Sequence, residues 1–441
     1  MVYYPGYMSY DSVAQLRAAR HGVTNNSNPA MMSYVWRILD QIIPGPGGML
    51  ILNLSLFWFS LAAIAHTVSS SNALRAAIVL GSGLLPPIFG LIGTIWKDIG
   101  MQGFFLAAVA FSLLAHRYAK LVFLVVSSIA LWFGCSYRHN GIAAAVPLVA
   151  MNVLIAVPLL QTRYPGLAGR LASRSAQRLA VILGTLVFSI LLYGTTELAN
   201  NVGVADGELW QFMVIHDLAG ISVDQGVNLL PAETGGGSLS VDQLRGIYVG
   251  AHMASLFDPP TRPILGAADQ TSTVALTQME DSRRLFRAWV RAVLHHPLSY
   301  LRHRSLIAKK LLVFHAGRPW GAFQIGIDAN EFHITFPESA LNKKITEWLW
   351  WAVRDTWFYS AWIYHAALVL FVILCFWVPF RYAVFIGLIA TSGMLYALSN
   401  LLLAGSGDFR YNMWAIGCCC LCVALGVSGL DPRLDSLKNA V

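Results

Sequence analysis

Residues Met49–Ser69 have the sequence MLILNLSLFWFSLAAIAHTVS, and this stretch decides the fold class. It contains no Asp, Glu, Lys or Arg. An α-helix needs about 20 consecutive apolar residues to cross the hydrocarbon core of a bilayer. The stretch therefore predicts a membrane-spanning helix.

Eight further apolar stretches satisfy or approach the same length rule. They are Ala76–Ile95, Ile99–Ala115, Leu121–Cys135, Gly141–Leu160, Leu179–Thr196, Thr356–Phe380, Tyr382–Ala404 and Met413–Leu430. Only 12% of the 441 residues are charged, about half the share in soluble domains, so a fully water-exposed surface is excluded. We predict an all-α polytopic membrane protein with about 9–10 transmembrane helices.

The positive charges predict the orientation. The loop Gln161–Arg178 carries Arg163, Arg170, Arg174 and Arg178 but no acidic residue, which is typical of a cytoplasmic loop. Alternation of the spans then places the turn at Arg381 and the C-terminal tail on the cytoplasmic side. The opposite side receives residues 1–48, 96–98, 136–140, 197–355 and 405–412. The net charge of +8 is explained by basic residues beside spans, so nucleic acid is not expected as a partner.

The chain divides into four regions. They are an external loop (1–48), a six-span module (49–196), a long external region (197–355) and a three-span module with a short cytoplasmic tail (356–441). Because no apolar helix precedes the external loop, we expect a first helix to lie upstream of the numbered start. Asp11 and Asn28-Pro29 each mark the start of an amphipathic helix, and both helices are expected in the membrane interface.

The long external region contains one basic segment, Asp281–Lys310, which is predicted to be a single helix rich in Arg and His. Two interpretations stay open. The segment is either an interfacial helix whose basic side chains meet lipid headgroups, or a cradle for phosphate or pyrophosphate.

Small sets of polar residues cluster on the predicted external side. Ionisable residues between spans are energetically expensive, so each is a candidate for function. The sets are Asp11 in the first loop, Lys97 and Asp98 in the second, Tyr137, Arg138, His139 and Asn140 in the third, and Asp408, Arg410 and Tyr411 in the last.

These features resemble those of the GT-C superfamily of integral membrane glycosyltransferases. The resemblance rests on the acidic residue in Gly6-Tyr-Met-Ser-Tyr-Asp11-Ser, on Trp96-Lys97-Asp98, on the two interfacial helices, and on the turn Asp408-Phe-Arg410-Tyr411. It covers nearly the whole chain as architecture, although the motifs are short. The chain lacks a long C-terminal soluble domain, which argues against the oligosaccharyltransferase branch.

The resemblance implies a transferase that takes its sugar from a polyprenyl-phosphate lipid. Asp11 and Asp98 would be catalytic, with Asp11 as the base, and Lys97, Arg138, His139 and Arg410 would bind the donor phosphate. Tyr137, Asn140, Asp408 and Tyr411 would contact substrate. We predict no cofactor and no obligatory metal, although a divalent ion is compatible with the two aspartates. The acceptor would be a glycan, a glycolipid or a surface protein such as a pilin, and the site would face the periplasm from a bacterial inner membrane.

Two alternatives stay open at this point. One is an O-antigen polymerase or ligase that relies on Arg and His in the long region. The other is a flippase or transporter of a lipid-linked sugar, which would require charged sites near the bilayer midplane and repeated halves.

Overall fold

The structure, a computed structural model, describes residues 2–23, 28–202, 204, 209–257, 264, 279–314, 319–377 and 382–429. Of Leu167, Ala168 and Arg170 it describes the backbone alone. The predicted turn at Arg381 and the C-terminal tail lie outside these ranges. Within them the chain forms helices and isolated β-bridges and no β-strand, which confirms the all-α prediction.

Two helices precede the first span, α1 (Tyr10–His21) and α2 (Ala30–Ile42). Ser9 rather than Asp11 is the N-cap of α1, and its backbone N–H donates to Oγ of Ser12 at 3.1 Å. Asp11 therefore lies in the first helical turn, where a carboxylate is favoured by the helix dipole. On α2 the buried face carries Trp36, whereas Ile38 and Ile42 are exposed. An exposed apolar stripe is what a helix in the membrane interface requires.

The first membrane module follows with short connections. Its helices are α3 (Gly47–Val68), α4 (Asn72–Gly83), α5 (Pro86–Ile92), α6 (Lys97–Tyr118), α7 (Leu121–Tyr137), α8 (Gly141–Arg163), α9 (Pro165–Arg170) and α10 (Arg174–Asn201).

The rest of the described chain is also helical. Its helices are α11 (Leu209–Gln225), α12 (Val241–Ile247), α13 (Met279–His295), α14 (Pro297–Leu312), α15 (Ala340–Asp355), α16 (Ala361–Trp377), α17 (Ala383–Leu403) and α18 (Met413–Gly429). The prediction of one helix over Asp281–Lys310 is wrong, because the chain breaks between α13 and α14. Pro297 has no backbone N–H to continue α13, and it starts α14 instead.

In the described residues, six helical segments are long and apolar enough to cross a bilayer. The pair α4 and α5 is bent by 67° at the break before Pro86-Pro87 and provides a seventh candidate. Helices α7 and α16 are apolar but have only 17 residues each. All nine predicted spans overlap these segments, so the chain is a polytopic membrane protein.

The chain forms two compact units. Unit 1 comprises Met1–Val204, Gly321–Ala397 and Arg410–Val441, and unit 2 comprises Ala205–Trp320 and Leu398–Phe409. The predicted external region 197–355 is thus divided, since its last part belongs to unit 1 together with most spans.

Within unit 1 the N-terminal segment pairs with the chain just before α6. The N–H of Tyr7 donates to the carbonyl of Gly93 at 2.9 Å, and the N–H of Ile95 donates to the carbonyl of Tyr7 at 2.9 Å. Oγ of Ser12 donates to the carbonyl of Ile95 at 2.8 Å, so the first turn of α1 joins the same pairing. These bonds place the start of α1 beside the start of α6.

Unit 2 has its own apolar core around α11, with Ile215, Leu218 and Ile221 fully buried. Helix α13 contributes Leu285 and Ala292 to this core. A separate core supports its description as a compact unit.

The pairing before α6 depends on close packing at Gly93. A Cβ added there would lie 2.3 Å from the ring of Tyr3, whose hydroxyl is held by the carbonyl of Phe89 at 2.6 Å. Gly93→Ala should therefore destabilise the protein by about 1–3 kcal/mol. Thermal unfolding in detergent measures the effect. Gly194→Ala in α10 is the matched control, because no atom would lie within 4 Å of its Cβ. Equal melting temperatures for both variants would contradict the packing described.

Candidate functional site

A cleft in unit 1 brings together three of the predicted site residues. Its walls include Asp11, Lys97 and Arg410. The other lining residues are Gln15, Asn28, Met32, Ile95 and Trp96. The three charged side chains carry a formal excess of one positive charge, so the cleft is suited to a singly charged anion.

Asp11 and Arg410 form an ion pair at this cleft. Nη2 of Arg410 lies 2.7 Å from Oδ2 of Asp11, and the side chain of Asp11 is 38% exposed. Burial opposes ionisation of Asp11, but the charges of Arg410 and Lys97 outweigh it and lower the pKa of Asp11 from near 3.8 to about 2. Asp11 is thus ionised, accessible and held by a cation.

Lys97 is the second cation of the cleft. Its Nζ donates to Oδ1 of Asn28 at 2.6 Å. Lys97 begins α6 instead of lying in a separate turn, so the side chain is carried by a rigid element. The pairing of residues 7 and 93–95 places this helix start beside Asp11.

Asp98 and Arg138 form a second ion pair, which is buried. Oδ1 of Asp98 accepts from Nη1 of Arg138 and, at 3.4 Å, from the hydroxyl of Tyr396. Nε of Arg138 donates to Oδ1 of Asn140 at 2.9 Å. The side chain of Asp98 is 1% exposed, and among the described residues its Oδ2 has no hydrogen-bond donor. Neither member of the pair lines the cleft.

Aromatic rings connect the two ion pairs. The guanidinium carbon of Arg138 lies 4.5 Å from the ring centroid of Tyr411, and that of Arg410 lies 5.5 Å from the same centroid. Arg410 also lies 4.6 Å from the ring centroid of Trp96. Cation–π contacts at such distances orient the two guanidinium groups around Tyr411.

The remaining predicted residues lie at different depths. Tyr137 is fully buried against Gly100, where an added Cβ would lie 2.5 Å from its ring. His139 is half-buried in the turn after α7. Asp408 belongs to unit 2, where it is nearly buried and forms a bridge with Trp320.

Sequence reasoning did not identify Asn28, Gln15 or Tyr396 as site residues. Asn28 precedes the proline that opens α2, and Gln15 lies one turn after Asp11 on α1, so spacing along α1 was an available signal for Gln15. Tyr396 lies inside an apolar helix and offered only its hydroxyl as a signal.

The Arg- and His-rich region supplies a buried network in unit 2. Asp217 is fully buried, with Nη2 of Arg304 at 2.9 Å and Nε2 of His303 at 3.1 Å. The hydroxyl of Tyr248 lies 2.6 Å from Nδ1 of His303. A Cβ at Gly220 would lie 2.4 Å from that same Nδ1, so the crowded network joins α11 to α14. These contacts explain His303 as a residue that packs α14 against α11.

The described residues contain no group of three or more His, Cys, Asp or Glu side chains placed to hold a metal ion. No protein-family model, curated protein or solved structure matches the chain. Any assignment of chemistry therefore depends on the residues of the cleft.

The two ion pairs should differ in their contribution to stability. Removing one member of the buried Asp98–Arg138 pair should cost about 3–5 kcal/mol, because it leaves an uncompensated charge. Asp98→Asn and Arg138→Gln should each lower the melting temperature strongly, and the double variant should recover part of the loss. The pair removed by Asp11→Asn and Arg410→Gln should show weaker coupling, because the side chain of Asp11 is 38% exposed whereas that of Asp98 is 1% exposed. Double-mutant cycles in thermal unfolding measure the coupling free energy of each ion pair. Equal coupling free energies for the two pairs would contradict the difference in burial.

The lowered pKa of Asp11 predicts a pH dependence of stability. The ionised form stabilises the fold fully above its usual pKa near 3.8, and this contribution is lost as the pH falls towards about 2. Asp11→Asn should therefore be less stable than wild type at neutral pH, and the difference should shrink as the pH drops below about 4. Melting temperatures measured across this pH range test the prediction. The control is Asp242→Asn, which removes a carboxylate from an exposed ion pair on α12. A constant difference at all pH values would show that the pair with Arg410 is not the cause.

Proposed function

We propose that the protein is a GT-C-type glycosyltransferase that moves a sugar from a polyprenyl-phosphate donor to a glycan, glycolipid or surface-protein acceptor. The observation that carries the proposal is the cleft in which the carboxylate Asp11 lies beside Lys97 and Arg410. A phosphodiester carries one negative charge, which matches the formal excess of the cleft. The partner of the protein would be a membrane lipid, which is consistent with a chain that spans the membrane several times.

In the proposed reaction the donor phosphate binds Arg410 and Lys97. The carboxylate of Asp11 accepts the proton of an acceptor hydroxyl, and the resulting oxygen attacks the anomeric carbon of the sugar. The bond between that carbon and the phosphate oxygen breaks, and the cations stabilise the departing phosphate. No metal step is part of this scheme.

The ion pair of Asp11 suggests how the base becomes active. While Arg410 holds Asp11, the low pKa makes the carboxylate a weak base. A donor phosphate competes with Asp11 for the same guanidinium group. Withdrawal of Arg410 towards the phosphate raises the pKa of Asp11, so the base gains strength when the donor is bound.

The proposed place of action is the periplasmic side of a bacterial inner membrane. Nucleotide sugars are confined to the cytoplasm, so a transferase on the external side needs a lipid-carried donor. Asp98 and Arg138 would support the site through Tyr411, which contacts both Arg138 and Arg410.

The main rival is a polymerase or ligase that uses Arg and His of the long region. His303 is buried in the network with Asp217, so that mechanism would have to rely on exposed residues such as Arg291. Arg291→Gln should abolish transfer under the rival scheme and leave it unchanged under ours. A transporter would instead move its lipid between leaflets without any change in glycan mass.

Asp11→Asn should reduce transfer by about 10²–10⁴-fold, the range typical of a missing general base. Arg410→Gln should raise the KM for the donor and also lower kcat, because it removes a phosphate contact and a charge that stabilises the departing phosphate. Glu331→Gln is the matched control. It breaks the exposed ion pair between Glu331 and Arg17, and Arg17 lies on the same helix as Asp11.

The measurement is mass analysis of surface glycolipids and surface proteins from cells that carry each variant at equal protein levels. Cells without the protein should lack one sugar on one acceptor, and wild type and Glu331→Gln should restore it. Unchanged glycans in cells without the protein would sink the transferase proposal. Normal transfer by Asp11→Asn would reject Asp11 as the base.

A further inference from the structure

Helices α13 and α14 meet at His296-Pro297 and leave a row of leucines exposed. Leu294, Leu298 and Leu301 are 73%, 68% and 60% exposed. The opposite face of α13 is packed, since Leu285 and Ala292 lie in the core of unit 2. Single exposed leucines are common, but three in succession around one helix junction form a patch that favours an apolar partner.

Exposed basic side chains lie on the same two helices as this patch. Arg283 and Arg291 on α13 and Lys309 on α14 are exposed. In the part of the chain that the structure describes, none of these three has an acidic side chain within 4 Å. Other basic residues nearby are neutralised, as Arg302 is by Asp224 at 3.1 Å. The junction therefore carries an excess of positive charge together with its leucines.

We propose that this α13–α14 elbow, the exposed surface from Arg283 to Lys309, binds the headgroup region of a membrane that contains anionic lipid. Leu294, Leu298 and Leu301 enter the boundary between headgroups and acyl chains. Arg283, Arg291 and Lys309 contact the lipid phosphates. Leucines flanked by Arg and Lys are the composition of interfacial helices, and anionic lipids attract such basic surfaces.

The same chain spans a bilayer, which favours lipid over a soluble partner as the occupant. Six described segments can cross the membrane, so the elbow meets a bilayer as a tethered ligand. Tethering turns a weak contact into an intramolecular one with a high effective concentration. This inference does not depend on the glycosyltransferase proposal, since it needs neither the cleft nor a sugar donor.

Hydroxyl-radical footprinting of the full chain in nanodiscs tests the elbow. Each nanodisc holds one copy, or two copies in a separate arm, and consists of phosphatidylcholine alone or of phosphatidylcholine with phosphatidylglycerol. We expect oxidation of Leu294, Leu298 and Leu301 to be slower in the anionic nanodiscs. Val249, a half-exposed residue of the same unit, is the internal control and should be oxidised equally in both lipids.

Replacing Arg283, Arg291 and Lys309 by Gln should remove the effect of the anionic lipid. Each lost charge should shift the docked elbow towards the undocked state by about fivefold. The variant should keep the melting temperature of wild type, because the three side chains are exposed.

Three outcomes would overturn the proposal. One is equal oxidation of the leucines in both lipids at the rate that their exposure in water predicts. A second is protection that appears only when two copies share a nanodisc, which would assign the patch to self-association. The third is protection in the anionic nanodiscs that survives in the triple Gln variant, which would exclude the basic side chains as the lipid contact.

Discussion

The backbone pairing of Tyr7 with Gly93 and Ile95 is the constraint on which the site depends. Each hydrogen bond is 2.9 Å long, and together they hold two segments that are more than eighty residues apart. The starts of α1 and α6 are thereby brought together, with Asp11 on one and Lys97 on the other. Without this pairing the carboxylate and the lysine would belong to independent helices, and no shared cleft would form.

The sequence was sufficient for the helices and insufficient for much of the pairing between them. Apolar runs of a suitable length predicted all nine span candidates, because the demand of a bilayer for continuous apolar surface is strong and local. The break at Pro297 was missed although proline is a local signal. Tyr396 could not be found, since its role depends on the distant Asp98. The grouping of Asp11, Lys97 and Arg410 was proposed from short motifs, and their shared cleft follows from hydrogen bonds that no periodicity encodes.

Two arginine–aspartate pairs share one tyrosine but have different environments. Asp98 is enclosed and meets Arg138, Tyr396 and no bulk water, so its pair can serve as a fixed support. Asp11 is partly open to solvent, so another anion can replace its carboxylate on Arg410 without leaving Asp11 as a buried, uncompensated charge. Tyr411 contacts both guanidinium groups and so connects the two pairs. The division between an enclosed and an exchangeable pair is a physical basis for the proposed binding and release of a phosphate at this site.

The bend between α4 and α5 has a consequence for the lipid around the protein. Twelve residues of α4 advance about 18 Å, and the seven of α5, tilted by 67°, add only about 4 Å along the same axis. The helical residues of the pair therefore cover about 22 Å, and only Leu84 and Leu85 at the break remain to complete the roughly 30 Å of the hydrocarbon core. Such mismatch is relieved by local thinning of the bilayer. The bilayer beside this pair would then be thinner than elsewhere. The pair leads directly into Gly93 and the residues of the cleft, so the thinner region would lie next to them in the chain.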